Sequence, residues 1–504
     1  MIALKLDGSS LSVNDLVHAA NSTEEIVLDP SGLERMFSSR RLIDDAIETG
    51  KAVYGVTRGL GAKAVETLNR NELAEFSIKT VRGRAHAIGE NSSPAIIRAA
   101  MIVRANSLMK GYSGARPKVA EHLVACLNAN ITPVVGCIGS VGVADLLPNA
   151  GIGLALIGEG QMMDGDGQIG PSDKVMSRNG IAPLELEARD GLALASNSSY
   201  VAALAAIALE DARHAYQAAQ SSAALSLEAF RANLSALDER ALSLRSLPGQ
   251  MESARDLRAR LTGSALFDTN QARRIQDPLS LRNVPQIHGT VCSALAFAGN
   301  ATEIEINGVS DNPVVLYDDN EIISCGLYFT SELCNSIDTV SQSFAHLASA
   351  QLARSARQMD AKLTELPSLL TRDGTSSAGL APLLKAQEAL FSELVQATQT
   401  TMIWPSTSSS GVEDCVSGAP TAVKSLVSVA DLSLRMSAIE MLIACQAFEM
   451  RQPKPVTGAF ITSLISEVQK LSPRNKQDYP LSDDIERIFE SIKTREMPMN
   501  VFRV

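Results

Sequence analysis

The sequence predicts a mostly α-helical protein, with a long central antiparallel helical bundle and a smaller mixed α/β region at its N-terminal side. Three observations carry that expectation. Val201 to Ala232, Ser341 to Lys362 and Ala422 to Met450 are rich in alanine and leucine, and the first holds neither glycine nor proline. Alanine and leucine enter helices at little cost, whereas glycine and proline break them. All three run well past the dozen or so residues of an average globular helix, and long helices of this kind pack as bundles. Aromatic residues are only 4% of the 504, so the core should be aliphatic, with alanine allowing close helix contact. The apolar content exceeds what a single buried face requires, which points to burial between subunits.

Ahead of the bundle the pattern differs. Residues 1–50 mix short β-type runs with polar turns, punctuated by Leu28-Asp29-Pro30-Ser31. From about Glu66 the pattern turns helical. Pro94 to Met109 carries Ile96, Ile97, Ala100, Ile102 and Val103 at helical spacing, and Val119 to Asn130 is a second helix candidate. Gly136 to Gly160 is glycine-rich and reads as loops and tight packing around a site. Strong helical character begins near Leu192, so the expected domains are 1–190 and 191–504.

The bulk numbers exclude several function classes. A net charge of −11 leaves no excess of lysine and arginine to neutralise phosphates, so nucleic acid is not expected as a partner. Seven cysteines, Cys126, Cys137, Cys292, Cys325, Cys334, Cys415 and Cys445, form no C-x-x-C pair. Neither a disulfide framework nor a metal site is expected, and a reducing cytoplasm fits. Met1 to Ser10 lacks a basic segment followed by a long apolar run. Ala150 to Ile157 is apolar but short, with Glu159 after it, so no membrane span is expected.

Four segments stand out. Tyr54-Gly55-Val56-Thr57-Arg58-Gly59-Leu60-Gly61 sets a tyrosine at the head of a glycine-rich loop that could close over a ligand, although a tyrosine before glycines is more often a turn anchor. Gly139 to Pro148 is glycine-rich but matches neither phosphate-cradling pattern. Gln276 to Gln286 places Arg282 among amides and apolar residues, a carboxylate clamp or a solvated arginine. Glu413-Asp414, after the run Ser406 to Ser410, reads as a helix N-terminus.

Together these segments resemble the aromatic amino-acid lyase family, which includes histidine and phenylalanine ammonia-lyases, from about Tyr54 to Gly418. Tyr54 to Gly61 is similar to the family's Tyr-Gly-Val-Asn-Thr-Gly-Phe-Gly loop. Arg104-Ala105-Asn106-Ser107-Leu108 with Lys110-Gly111-Tyr112-Ser113-Gly114, Gln276 to Arg282, Ser310-Asp311-Asn312-Pro313 and Glu413-Asp414 also resemble family phrases. The resemblance implies a histidine ammonia-lyase-like fold and a homotetramer whose active sites draw on three subunits. It implies Tyr54 as the base for the β-proton, Arg282 at the substrate carboxylate, and Glu413 near the amine or ring. It places His86 facing an imidazole, and Gln276 and Tyr328 along the pocket. Ser196 or Asn197 falls in the slot of a family asparagine, and Lys385 falls on a pocket-lining helix.

One departure is decisive for the expected chemistry. The family reads Gly-Ser-Val-Gly-Ala-Ser-Gly-Asp-Leu, and its Ala-Ser-Gly cyclises into an electrophilic methylidene-imidazolone. Here the chain reads Gly139-Ser140-Val141-Gly142-Val143-Ala144-Asp145-Leu146, one residue shorter and without Ala-Ser-Gly. Ser140 lies too early and precedes valine. Leu279 replaces a family tyrosine that serves the same cofactor. No cofactor is therefore expected. The electrophile exists to make ammonia leave; a quaternary trimethylammonium leaves as a neutral amine and cannot attack an electrophile. A base alone then suffices.

The expectation is a lyase acting on a histidine-derived betaine, ergothioneine foremost, giving thiolurocanate and trimethylamine. A phenol base, ordinarily near pKa ~10, needs cations beside it; Arg58 and Lys385 are candidates, and Lys385 could instead hold the carboxylate or polarise the thione sulfur. Tyr328 and Glu413 would hold the trimethylammonium. The alternatives are an inactive scaffold of the same fold, a lyase on another quaternary-amine amino acid, and an ordinary ammonia-lyase or aminomutase.

Overall fold

The computed structural model describes residues 3–268, 270–372, 374–401, 405–473 and 478–499. Helices dominate, joined by short two- and three-stranded sheets. The chain divides into two compact units, neither contiguous in sequence. The first comprises Met1–Glu210, Ala298–Ile337 and Thr400–Val423, and the second Asp211–Phe297, Asp338–Gln399 and Lys424–Val504.

The opening 50 residues are more helical than their composition indicated. Strands Leu4–Leu6 and Ile26–Leu28 pair in parallel and alternate with helices Val13–Ala20 and Pro30–Thr49. Asp29 and Pro30 start the longer helix rather than only a turn. The Asp29 carboxylate accepts from the Ser31 amide, proline occupies the first turn, and Gly50 closes the helix at φ 69°.

Helix Pro94–Met109 has the predicted bounds and is buried almost all round. Its Arg98 donates to the carbonyls of Ala20, Ser22 and Leu127 at 3.2, 3.0 and 3.2 Å, satisfying acceptors that helix ends leave open. The glycine-rich stretch after it is only partly loop, because Leu146–Leu156 is a helix. A Cβ on Gly151 would lie 2.9 Å from Val135, so that glycine serves close packing.

The long helices are Ser199–Phe230, Val284–Ile306, Ser331–Gln358 and Ala419–Met450. Val284–Ile306 escaped the sequence pattern because Gly289 interrupts it; in the second unit a Cβ there would lie 2.6 Å from Gln250, so glycine permits helix-to-helix contact. Asp190–Phe230 is apolar and long enough to cross a membrane by composition, contrary to expectation. Of its most apolar stretch, 83% is buried inside the protein, as in a core helix.

The second unit is organised around a buried ion pair. Arg354 Nε donates to Glu440 Oε1 at 2.6 Å, and both side chains are fully buried. Ser222 and Ser226 donate to the same carboxylate at 2.7 and 2.8 Å, and Gln351 at 3.2 Å. A buried charge tolerates its loss of water only when every oxygen is bonded in this way.

Candidate active site

Tyr54 opens a tight turn. The amides of Val56, Thr57 and Arg58 all converge on the Val53 carbonyl, and Thr57 Oγ1 bridges the Val53 amide and the Lys51 carbonyl at 2.8 and 2.6 Å. Gly55 is required: its φ is +64°, and a Cβ would come within 2.3 Å of Leu192. Tyr54 is left half-buried, its hydroxyl accepting from the Gly61 amide at 3.1 Å. Gly61 in turn backs onto Ser409.

Ser409 joins strands Pro405–Ser408 and Glu413–Cys415, which form an antiparallel hairpin with Glu413 opposite Ser408. The paired acids are therefore strand residues, not a helix N-terminus; the next helix begins at Ala419. Glu413 is half-buried.

The loop 139–145 is held from several sides. The Ser140 hydroxyl donates to the Asp145 carboxylate and accepts from the Gly142 amide at 3.0 Å. The Gly142 carbonyl accepts from the hydroxyls of Thr330 and Ser417 at 3.1 and 3.0 Å. A Cβ on Gly142, where φ is +79°, would sit 1.9 Å from Ser417 Oγ. Ala144 and Asp145 take left-handed φ of 60° and 41°, which costs an L-residue about 1–2 kcal/mol. Three contacts sustain the strain. The Ala144 amide donates to Tyr328 O at 3.3 Å, its carbonyl accepts from the Asn197 amide at 3.0 Å, and Asp145 Oδ2 accepts from the Val201 amide at 2.8 Å. Burial pushes the Asp145 carboxyl up to about 6, against the lowering effect of Ser140 and two amides.

The shortened loop thus positions Tyr328 through its backbone. Tyr54, Arg84, Tyr328 and Glu413 share one electrostatic neighbourhood. Burial lowers the Arg84 pKa, opposed by the charges of Tyr54 and Glu413. Burial raises the Tyr328 pKa, assisted by Tyr54, Glu413 and Cys325. Arg84 was not singled out by the sequence. The available signal was its place two residues before His86, just past the helix Leu73–Arg82. His86 itself is exposed.

Of the two residues in the asparagine slot, Asn197 is committed elsewhere. It is fully buried; its amide nitrogen donates to Ala193 O and Leu194 O, and its oxygen accepts from Asn149 and the Ser199 amide. Ser196, half-buried at the end of helix Asp190–Ala195, is the residue with an uncommitted position.

In the second unit, Arg282 ends the short helix Leu279–Arg282 and is half-buried. In the amide orientation that satisfies both groups, Gln276 Oε1 accepts from both Nη atoms of Arg282, 3.1 Å from Nη2. Leu279 is exposed. Lys385 is exposed on helix Ala381–Ala397 and pairs with Glu388 at 2.7 Å.

Two other phrases prove structural. Asp311 accepts from Arg104 Nη1 and Nη2 at 2.9 Å each, from Ser113 Oγ at 2.7 Å and from Arg189 Nη2 at 3.0 Å. The segments 104–114 and 310–313 therefore meet in one buried ion cluster.

Glu305, which accepts from Ser198 Oγ at 3.1 Å, is pushed up to about 7, first by burial and then by Asp145 and Glu332. A raised carboxyl pKa contributes stability that is present below the unfolded value and lost as pH rises through the folded one. Glu305→Gln is therefore expected to unfold at a higher temperature than wild type at pH 8, with the difference vanishing near pH 4.5. Equal melting temperatures at pH 8 would contradict this.

Comparison with known proteins matches residues 11–470 to the family described as aromatic amino acid lyase. A histidine ammonia-lyase from Gloeobacter violaceus is 33% identical over 491 residues, 97% of this chain and 95% of that protein. Among solved structures, the ergothioneine-degrading enzyme ergothionase from Treponema denticola, in complex with desmethyl-ergothioneine sulfonic acid, superposes with a TM-score of 0.95 at 25% identity. That superposition covers 99% of this chain and 100% of the other. Histidine ammonia-lyase from Trypanosoma cruzi superposes with a TM-score of 0.88 at 25% identity, covering 98% and 94%.

Proposed function

The chain belongs to the aromatic amino acid lyase family, carbon–nitrogen lyases acting on small amino acids, and from that premise we propose that it eliminates trimethylamine from a histidine-derived betaine. The substrate is ergothioneine and the products are thiolurocanate and trimethylamine. The carrying observation is the loop 139–145. Val141 to Ala144 contain no serine to dehydrate, and the Ser140 hydroxyl is bonded to Asp145. These residues do not fit an imidazolone electrophile, and no step is routed through one. The likeness to ergothionase supports the same substrate.

In this reading Tyr54 takes the β-proton, and the amine leaves with its electron pair. Tyr328 and Glu413 hold the trimethylammonium, His86 and Ser196 border the ring, and Arg282 with Gln276, supplied by another subunit, binds the carboxylate. Lys385 adds a cation from a neighbouring subunit of a homotetramer. Exposed Ile88, Ile138, Val141, Leu327 and Val412 around the site segments support coverage by other copies; a monomer on sedimentation would remove that part of the reading.

Incubation with ergothioneine should produce the long-wavelength absorbance of a thio-conjugated acrylate. Silence with ergothioneine, hercynine and other histidine betaines would favour the inactive scaffold.

A further inference from the structure

Resting on the elimination reading above, we propose that Arg84 sets the ring specificity: its guanidinium binds the sulfur of an imidazole-2-thione.

Three observations converge on Arg84. It is a half-buried cation whose Nη1 donates to Thr80 O at 3.3 Å, and among the described residues it forms no ion pair. A guanidinium carries five donors, so most of its fork is left to a ligand. Its segment also lies against the shortened loop. Ile88 pairs with Ile138 across antiparallel strands, and a Cβ on Gly139 would lie 3.3 Å from Ala87. Finally, Tyr54 and Glu413 lie within its electrostatic reach.

The last point selects the ligand atom. A carboxylate bound by Arg84 would bring a second full anion within electrostatic reach of Glu413, and like charges repel. A thione is neutral overall, and its sulfur carries only a partial negative charge donated by the two ring nitrogens. It is polarisable and weakly hydrated, which suits a guanidinium better than an ammonium.

The step balances without any co-reactant. The Tyr54 phenolate accepts the β-hydrogen as a proton. The former C–H pair becomes the Cα–Cβ double bond, and the Cα–N pair departs with trimethylamine.

Calorimetric titration of wild type, Arg84→Met and Arg84→Lys with thiolurocanate and urocanate tests this. The two ligands share a carboxylate and a five-membered ring and differ in the sulfur. Wild type should bind thiolurocanate about tenfold more tightly, the size of one hydrogen bond to a charged group. Arg84→Met should bind both alike, and Arg84→Lys should keep part of the preference. Equal weakening of both ligands by Arg84→Met would reassign Arg84 to the carboxylate and overturn the proposal. So would an unchanged preference, or none in wild type. Should Arg84→Met fail to fold, Arg84→Lys decides: full wild-type preference there overturns the role of the planar fork. A sulfur preference that depends on Arg84 in a protein that does not turn over ergothioneine would sink the elimination reading alone.

Discussion

Tyr54→Phe is expected to lower trimethylamine release from ergothioneine by about 10²–10⁴-fold, the usual contribution of a positioned base, with KM little changed. The fold should survive, because the turn is held by Val53, Thr57 and Gly55 rather than by the phenol. Among the described residues the phenol hydroxyl has one hydrogen-bond partner, the Gly61 amide at 3.1 Å. The variant keeps the ring and loses only the proton acceptor. Steady-state kinetics followed at the product's absorbance measure the effect, and undiminished turnover would remove Tyr54 from the mechanism.

The second large effect concerns stability. Asp311→Asn should cost about 3–5 kcal/mol, because it leaves buried arginines without their counter-charge. The Arg104 and Arg189 side chains are 4% and 1% exposed, so water cannot replace the carboxylate. Burial alone would raise the Asp311 pKa, but Arg104, Arg189 and Ser113 outweigh it and hold the carboxyl below its usual range. A depressed carboxyl pKa contributes stability that is present above the unfolded value and lost as pH falls through the folded one. The wild type should therefore lose stability in acid more steeply than Asp311→Asn. Thermal unfolding from pH 7 downwards reads both effects; a melting temperature at pH 7 equal to wild type would contradict the assignment.

Much of the fold was legible because local pattern and tertiary role agree. Pro94–Met109 begins at a proline tolerated in a first turn and carries apolar residues at helical spacing. Val284–Ile306 and Leu146–Leu156 were missed for one reason: glycine ordinarily weakens a helix, but Gly289 and Gly151 each make room for a neighbour that sequence cannot reveal. The early helix Pro30–Thr49 was hidden because Asp-Pro marks a turn and a helix start equally well.

The site shows the same division. The phrases around Tyr54, the loop 139–145 and Glu413 were visible as words, and the structure brings those segments together within the first unit. Their setting was not visible. Glu413 lies on a hairpin that no alternating apolar pattern announces, and Asn197 looks like a pocket residue until its amide is seen spent on buried backbone. Arg84 is one of two arginines in Arg82-Gly83-Arg84. Only three-dimensional proximity to Tyr54 and Glu413 distinguishes it from Arg82, which pairs with Glu159 at the surface.

The most direct test of the central claim identifies the amine released. The purified protein is incubated side by side with ergothioneine and with histidine, and the small-molecule products are followed by proton NMR. Trimethylamine and thiolurocanate from ergothioneine, with histidine untouched, is the outcome expected of a lyase that works without an electrophile. Ammonia and urocanate from histidine, with ergothioneine unchanged, would contradict it.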